Sequence, residues 1–509
     1  MPAGYAARLS LTRPPSSNFF SITTYKRDGR ELPARFHRPF RRTVNGEPLT
    51  VDYSFVATFH IEQFGCRATQ ADGAAIERQL LERGWALARS AETADVVVLN
   101  TCTVTAAADA QARDAIRKLH THNRDTRIVV TGCYAQRAPE ELAALPGVSY
   151  VVGNSHKPQI PGLLTHTLPA PGLADFVPAE NLLAPILTGD IFEQHNVVVA
   201  PVLGGEGNHT RPTLKIQDGC NNRCAFCVIP FVRGKSRSLP PQSVVEEIRK
   251  LTGSSYKEIV LSGINLGAWG RDLTPRHDFL DLLKQILDET SVERLRLSSI
   301  EPLDVSRDLI LLFASTARLA GHFHMPLQSG SDRILAAMHR WYRSEHYARR
   351  VELIREHLPH AAIGADVITG FPGETAGDHA TTLEFIERRS FTYLHVFSYS
   401  SRPGTRAAPL PNHIAPNIIK QRARQLRDIS EAKSAAFYRS QSGRTLSAIT
   451  LRHSSDVPDS TEWTPGLSSN YLKLRISGAW APNLLVNAIC PSSPQAIASP
   501  AHKENFEMT

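Results

Sequence analysis

The sequence has no run of about 18 or more apolar residues, which excludes a helical membrane span. Met1 to Ser10 offer no basic stretch followed by an apolar one, so no export signal is expected and the cytoplasm is the expected compartment. There is neither an internal repeat nor a low-complexity tract of consequence. Cysteine is scarce, seven in 509 residues: Cys66, Cys102, Cys133, Cys220, Cys224, Cys227 and Cys490. In a large chain without an export signal disulfides are not expected, and thiolate–metal chemistry becomes the leading explanation for any cluster of cysteines.

What remains is a globular composition. The length allows about two to four domains, and 42% hydrophobic with 21% charged residues is ordinary for such a chain. The net charge of +8 suits a polyanionic partner, but most of the excess lies in residues 1–50, with nine Lys or Arg against three acids. That segment reads as a disordered basic leader rather than an RNA-binding arm.

Beyond the leader, residues 55–156 alternate short apolar runs (Phe55–Phe59, Val96–Leu99, Ile128–Thr131, Tyr150–Val152) with helical patterns, as a parallel sheet requires. Residues 157–212 are rich in Pro and Gly without periodicity and read as a linker. From 213 the alternation resumes, with strands expected at Leu214–Gln217, Glu258–Ser262, Arg294–Ser298, Phe323–Leu327, Ile363–Thr369 and Tyr393–Phe397. Six such units in that length predict an open barrel, whose reactive residues belong on the loops after the strands. A basic helix is expected from Pro416 to Ser442, then a β-rich module over 443–490 and a polar tail over 491–509.

The strongest chemical signal is the C-x3-C-x2-C triplet Cys220, Cys224 and Cys227, on the loop after the first barrel strand. Three thiolates so closely spaced can hold three irons of a [4Fe–4S] cluster and leave the fourth open. An open iron is what chelation of S-adenosylmethionine (SAM) requires. Zinc is the rival, but structural zinc takes four closed ligands, and no fourth Cys or His lies nearby at such spacing. After later strands stand Gly263 and Gly267, whose backbone freedom permits close approach of a ligand, Asn265, suited to the methionine or ribose of SAM, and Glu301, suited to ribose hydroxyls. Each alone is as well explained by a turn or a cap.

The triplet with Phe226 resembles the radical-SAM signature. Asp218 through Pro230, Arg233-Gly234 and Ser236-Arg237-Ser238 resemble the methylthiotransferase branch in particular. So do Leu261–Gly267, Arg296–Pro302, His324–Ser331, Gly370–Thr375 and Phe397–Thr405, so that the resemblance covers 55–490. It implies two [4Fe–4S] clusters, SAM as both radical source and methyl donor, and a flavodoxin- or ferredoxin-type electron donor. The implied fold is an N-terminal flavodoxin-like α/β domain, an open (β/α)6 radical-SAM barrel and a small C-terminal β-barrel of the TRAM kind.

Cys66, Cys102 and Cys133 each follow an expected strand. In a parallel sheet these loops open on one edge, where distant residues converge, although three unrelated buried thiols would also fit. By resemblance they are ligands of an auxiliary cluster. One departure is Thr69, where many relatives carry Asn.

Asn100-Thr101-Cys102-Thr103-Val104-Thr105 is similar to the branch acting on threonylcarbamoyladenosine in tRNA. The branch acting on isopentenyladenosine carries an Arg-Glu pair where Ala107-Ala108 stand. Other readings are a methylthiotransferase for that nucleoside or for a ribosomal-protein aspartate, and a non-catalytic iron–sulfur tRNA-binding protein. Gly466 to Tyr471 resembles the central TRAM motif, with Arg452 in place of an expected acid, and Arg444, Arg452, Lys473 and Arg475 are placed to meet phosphates.

Overall fold

The computed structural model describes residues 56–167, 183–194, 210–453 and 462–501. Of residues 1–55 only two strand pairs are described, Lys26–Arg27 with Arg30–Glu31 and Thr43–Val44 with Glu47–Pro48. The rest of the expected leader lies outside the described residues, as do 168–182 and 195–209.

Strands β1 (Thr58–Gln63), β2 (Ala86–Leu87), β3 (Val96–Thr101), β4 (Arg127–Gly132), β5 (Val148–Gly153) and β6 (Ile186–Leu187) form one all-parallel sheet, in the order β6-β5-β4-β3-β1-β2. β3 is buried along its whole length, because helices cover both faces and leave no polar side to alternate with. Ile76 and Leu80 of the helix Arg67–Leu81 pack with Ile160 on one face. Ile116 and Leu119 of the helix Ala106–His122 pack with Leu142 on the other. Thr105 starts the latter helix by accepting from the Ala108 N–H at 3.2 Å. The strand order reverses between β1 and β3. In open parallel sheets the crevice beyond the carboxyl ends of the strands at such a point is the usual binding place.

The stretch read as a linker is partly structured. It contains the helix Ile160–Thr167, and β6 adds to the sheet by pairing with Val151 and Val152 of β5. A two-residue strand is too short to carry a periodicity, so only backbone pairing reveals it.

The second domain begins with β7 (Thr213–Asp218), flanked by the short antiparallel β8 (Arg237–Ser238) and by the parallel β9 (Glu258–Gly263) and β10 (Arg294–Leu297). β11 (His322–His324), β12 (Ala362–Thr369) and β13 (Tyr393–Ser398) continue in parallel. Parallel bridges Leu295–Leu319 and Ser299–His324 join β10 to β11, so six parallel strands in chain order make the open barrel. Its covering helices are amphipathic. In Phe279–Glu289 the buried residues are Phe279, Leu282, Leu283 and Ile286, one face of a helix, each contributing about 1.5–3 kcal/mol by burial.

The basic helix is Pro416–Gln441. Its Arg422 is buried against Glu374 at 2.6 Å, so part of its charge is structural. β14 (Thr445–Thr450), β15 (Trp463–Ser468), β16 (Lys473–Ser477), β17 (Leu485–Ile489) and β18 (Ile497–Ala498) form a curled sheet in the order β17-β14-β15-β16-β18. The Ile489 N–H donates to Ser499 O at 2.8 Å and the Ala501 N–H to Asn487 O at 2.9 Å, which ties the last segment back to β17. The module therefore runs on to Ala501, into the stretch expected to be tail. The fold class is the one expected: an α/β chain with a flavodoxin-like sheet, an open barrel and a small β-barrel-like module. Among the described residues no helix is long and apolar enough to cross a membrane.

Candidate active site

The carboxyl edge of the first sheet carries three thiols. Cys66 follows β1, Cys102 follows β3, and Cys133 opens a short helix directly after β4. Gly65 (φ +104°) and Gly132 (φ +102°) turn the chain there in a conformation open to glycine. A Cβ on Gly65 would stand 2.5 Å from the Cys102 Cβ and 2.9 Å from its sulfur, so the Cys66 loop lies directly on Cys102. Burial, with Cys133 and Cys66 adding to it, pushes the Cys102 thiol up to about 12. The Asn154 amide is 3.6 Å from the Cys133 sulfur, and the Thr69 hydroxyl is 3.6 Å from that of Cys66. Thr69 thus keeps a polar contact to that sulfur.

The barrel supplies the second set. Cys220, Cys224 and Cys227 lie on the loop after β7, pinned by the Cys220 N–H to Gly234 O at 3.1 Å and the Ala225 N–H to Met338 O at 2.9 Å. Burial pushes the Cys220 thiol up to about 11 and, with Cys224 nearby, the Cys227 thiol up to about 12. Arg340, 3% exposed, donates to the Cys224 sulfur at 3.2 Å and pairs with Glu301.

Both sets suit iron–sulfur clusters. Each offers three sulfurs, and among the described residues no further cysteine joins either, since Cys490 is buried in the C-terminal module. Three sulfurs match a cluster with one open iron better than a closed zinc site. The surrounding charge matches too. Among the described residues Lys157, Lys215 and Arg233 meet two carboxylates, Asp72 and Asp218, with Arg237 3.9 Å from Asp218. Burial opposes the Arg233 cation, and Asp218, Cys133, Asp72 and Cys66 hold it charged. This surplus of buried positive charge beside the first sulfur set complements metal-bound thiolates.

Cys66, Cys220, Cys224 and Cys227 open onto one cavity of about 530 Å³. Its far wall is built by alternation on the barrel strands: His322 and His324 of β11, Asp366 of β12, Tyr393 and His395 of β13. Residues two apart on a strand share a face. They form a hydrogen-bonded chain: His322 Nε2 to the Tyr393 hydroxyl at 2.8 Å, that hydroxyl to His324 Nδ1 at 3.0 Å, and His324 Nε2 to Asp366 at 2.9 Å. His395 lies 3.4 Å from the same carboxylate. Ser298 Oγ, Gln328 Oε1 and His322 Nδ1 are buried without a hydrogen-bond partner among the described residues. An unmet buried polar atom costs about 1–3 kcal/mol, and these three atoms belong to residues of the cavity wall.

Of the remaining site residues read from the sequence, Gly263 and Glu301 line the cavity. Asn265 stands behind it: its N–H donates to Gln217 at 2.8 Å and its side chain reaches the Cys220 sulfur. The glycines serve the protein's own packing as well. A Cβ on Gly263 would meet Gln217 at 2.9 Å, and one on Gly267 would meet Asp304 at 2.3 Å, so the close neighbour expected to be a ligand is a side chain. Sequence reasoning missed Arg67, Arg340, Tyr471 and the whole strand-borne wall. The alternation His322-Phe323-His324 was the available signal for the wall.

The family described as "Uncharacterized protein family UPF0004" matches residues 58–153, and the radical SAM superfamily matches 214–386. A threonylcarbamoyladenosine tRNA methylthiotransferase from Aquifex aeolicus is 37% identical over 418 residues, covering 82% of this chain and 96% of its own. The Bacillus subtilis protein of the same description is 35% identical over 426 residues, covering 83% and 91%. Among solved structures, the radical S-adenosylmethionine methyltransferase TsrM from Kitasatospora setae superimposes with a TM-score of 0.50 at 16% identity, over 70% of this chain and 77% of that one. That likeness concerns the fold alone. Cys66 of the first sulfur set and all three cysteines of the second line one cavity, on the two domains that these families match, in agreement with the identity over nearly the whole length of the relatives: the chain belongs to the radical-SAM methylthiotransferase family.

Proposed function

We propose that the chain adds a methylthio group to carbon 2 of N6-threonylcarbamoyladenosine beside the anticodon of tRNA. The observation that carries this reading is the shared cavity, which Cys66 of the first sulfur set lines together with Cys220, Cys224 and Cys227 of the second. Replacing an aromatic hydrogen with sulfur demands both kinds of chemistry at one carbon. When bound, one cluster with SAM supplies the hydrogen-abstracting radical and the methyl group, and the other supplies sulfur.

The protein's own residues hold and orient. Cys220, Cys224 and Cys227 hold the SAM-binding cluster, and Cys66, Cys102 and Cys133 hold the auxiliary one. Gly263 and Glu301 border the SAM side, with Asn265 supporting Cys220. Arg340 keeps a cation between Glu301 and the Cys224 sulfur. Apolar wall residues Val104, Phe226, Ile229 and Ile264 exclude water from the reacting carbon. The work divides among an N-terminal domain (55–156), the barrel with its basic helix (213–442) and an RNA-binding module from 443 onward. A flavodoxin- or ferredoxin-type protein delivers the electrons, and the reaction takes place in the cytoplasm.

Nucleoside mass spectrometry of tRNA from a strain lacking the gene tests this. The methylthio derivative of threonylcarbamoyladenosine disappears and its precursor stays. Loss of the isopentenyl methylthio nucleoside instead would overturn the substrate assignment.

A further inference from the structure

The end of the cavity formed by His322, Tyr393 and Tyr471 is unbalanced in charge. His322 and Tyr471 stack with ring centroids 4.1 Å apart and planes 8° from parallel, and Tyr393 stacks on Tyr471 at 5.7 Å. Behind them Arg211, Arg294 and Arg296 converge on a single carboxylate, Glu258, at 3.0, 3.2 and 2.8 Å. Burial pushes Glu258 up, and the arginines, led by Arg296, bring it down to about 2, so it is fully charged and fully used. Arg296 also lies over the Tyr471 ring at 5.5 Å.

Arg67 adds a further cation from the opposite wall. It lines the cavity next to Cys66, half-buried, and its charge is felt at His322, Tyr393 and Arg211. Among the described residues its guanidinium makes no hydrogen bond and no ion pair. It is also the first residue of the helix Arg67–Leu81, where the helix dipole disfavours a cation and where no acid stands in the first turn. Local structure therefore does not account for it. Both acids that line the cavity are engaged elsewhere, Asp366 by His324 and His395 and Glu301 by Arg340.

An apolar substituent on the substrate gains nothing from this field, whereas a carboxylate gains a planar two-pronged donor. We propose that Arg67 is a specificity residue that binds the carboxylate of the threonylcarbamoyl group, the anion that an isopentenyl substituent lacks. This rests on the substrate reading above. The stacked His322–Tyr471 pair closes the pocket beneath that group, and burial together with Arg296, His324, Arg67 and Arg211 keeps His322 neutral, leaving the charge-reading to arginine.

The test uses the full chain and two synthetic anticodon stem-loops. One carries threonylcarbamoyladenosine, and the other has its threonine carboxylate converted to a carboxamide. A charged hydrogen-bond pair corresponds to about a ten- to hundredfold preference. Wild type should show that preference for the carboxylate loop, both in affinity before SAM is added and in kcat/KM. Arg67→Gln should bring the ratio close to one, while Arg67→Lys, which keeps the charge, should retain most of it. Because the readout is a ratio, a loading defect beside Cys66 that slows both loops cancels. An Arg67→Gln enzyme that keeps the wild-type ratio, or that weakens both loops equally as a phosphate contact would, overturns the proposal. If unmodified wild type converts an isopentenyl stem-loop and neither threonylcarbamoyl loop, the underlying substrate reading is what has failed.

Discussion

Asp72 lies in the N-terminal domain, 3% exposed, and faces three cations from three other segments: Lys157 at 2.8 Å, Arg233 at 3.0 Å, and Lys215 of β7. Burial pushes its carboxyl up, but Lys157, Lys215 and Arg233 together hold it well below the usual carboxylate range. Asp72→Asn keeps the shape and removes the charge, which leaves three buried cations against Asp218 alone. Removing one partner from a buried ion pair costs about 3–5 kcal/mol, and the two barrel cations, Lys215 and Arg233, show where the loss falls: at the seam between the first sheet and the barrel. Urea unfolding followed by tryptophan fluorescence should show that loss at pH 7, and limited proteolysis should open the same seam first. The pH dependence has a definite sign. A carboxylate whose folded value is depressed stabilises fully above its unfolded value of about 3.9, and loses that stabilisation as pH falls toward the folded one. The gap between wild type and Asp72→Asn should therefore be flat from pH 8 to 5 and shrink below about pH 4. A variant within about 1 kcal/mol of wild type at pH 7, or a gap that widens in acid, would refute the assignment of this network as the seam's electrostatic anchor.

Gly65→Ala should displace Cys102, since the added Cβ would stand 2.5 Å from the Cys102 Cβ; reconstituted iron should fall from about eight to about four per chain. Replacing Cys66, Cys102 and Cys133 together by Ala should leave SAM cleavage to 5′-deoxyadenosine intact and abolish sulfur transfer, with the reciprocal outcome for Cys220, Cys224 and Cys227; repeated methylthiolation by the first triple variant would sink the two-cluster division of labour. Truncation after Ser442 should weaken tRNA binding and make what remains less sensitive to salt, because phosphate contacts are lost, yet it should also impair turnover on a minimal stem-loop, because Tyr471 leaves the cavity wall. Unchanged turnover would show that Tyr471 is dispensable there.

Strands such as Val96–Thr101 and Arg127–Gly132 were legible as apolar runs bounded by turn residues, whereas the first strand, expected at Phe55–Phe59, lies at Thr58–Gln63, where polar residues interrupt the run; the triplet at 220–227 was legible because its ligands are local. The short elements were not. β2, β6 and β18 are two residues long and exist through pairing with a neighbour, as Ile186 and Leu187 do with Val151 and Val152. Asp72, Lys157, Lys215, Asp218 and Arg233 look in sequence like ordinary surface charges. Nothing in their spacing, which reaches 161 residues between Asp72 and Arg233, foretells that they are buried together.

By itself the sequence determined the chemistry: which residues are thiols, how three of them sit within one loop, and that three more stand at the ends of apolar runs. Those facts depend on covalent order and local propensity, which a linear reading holds. Only the tertiary structure decided that Cys66 shares a cavity with Cys220, Cys224 and Cys227 and that Arg67, Tyr393 and Tyr471, from three different parts of the chain, line the same space. Such convergence is set by sheet order, barrel curvature and the docking of Arg296 onto the carbonyls of Ser468 and Ser469 at 3.0 and 3.1 Å. These are long-range contacts, whose energy comes from packing and buried charge and leaves no period in the sequence.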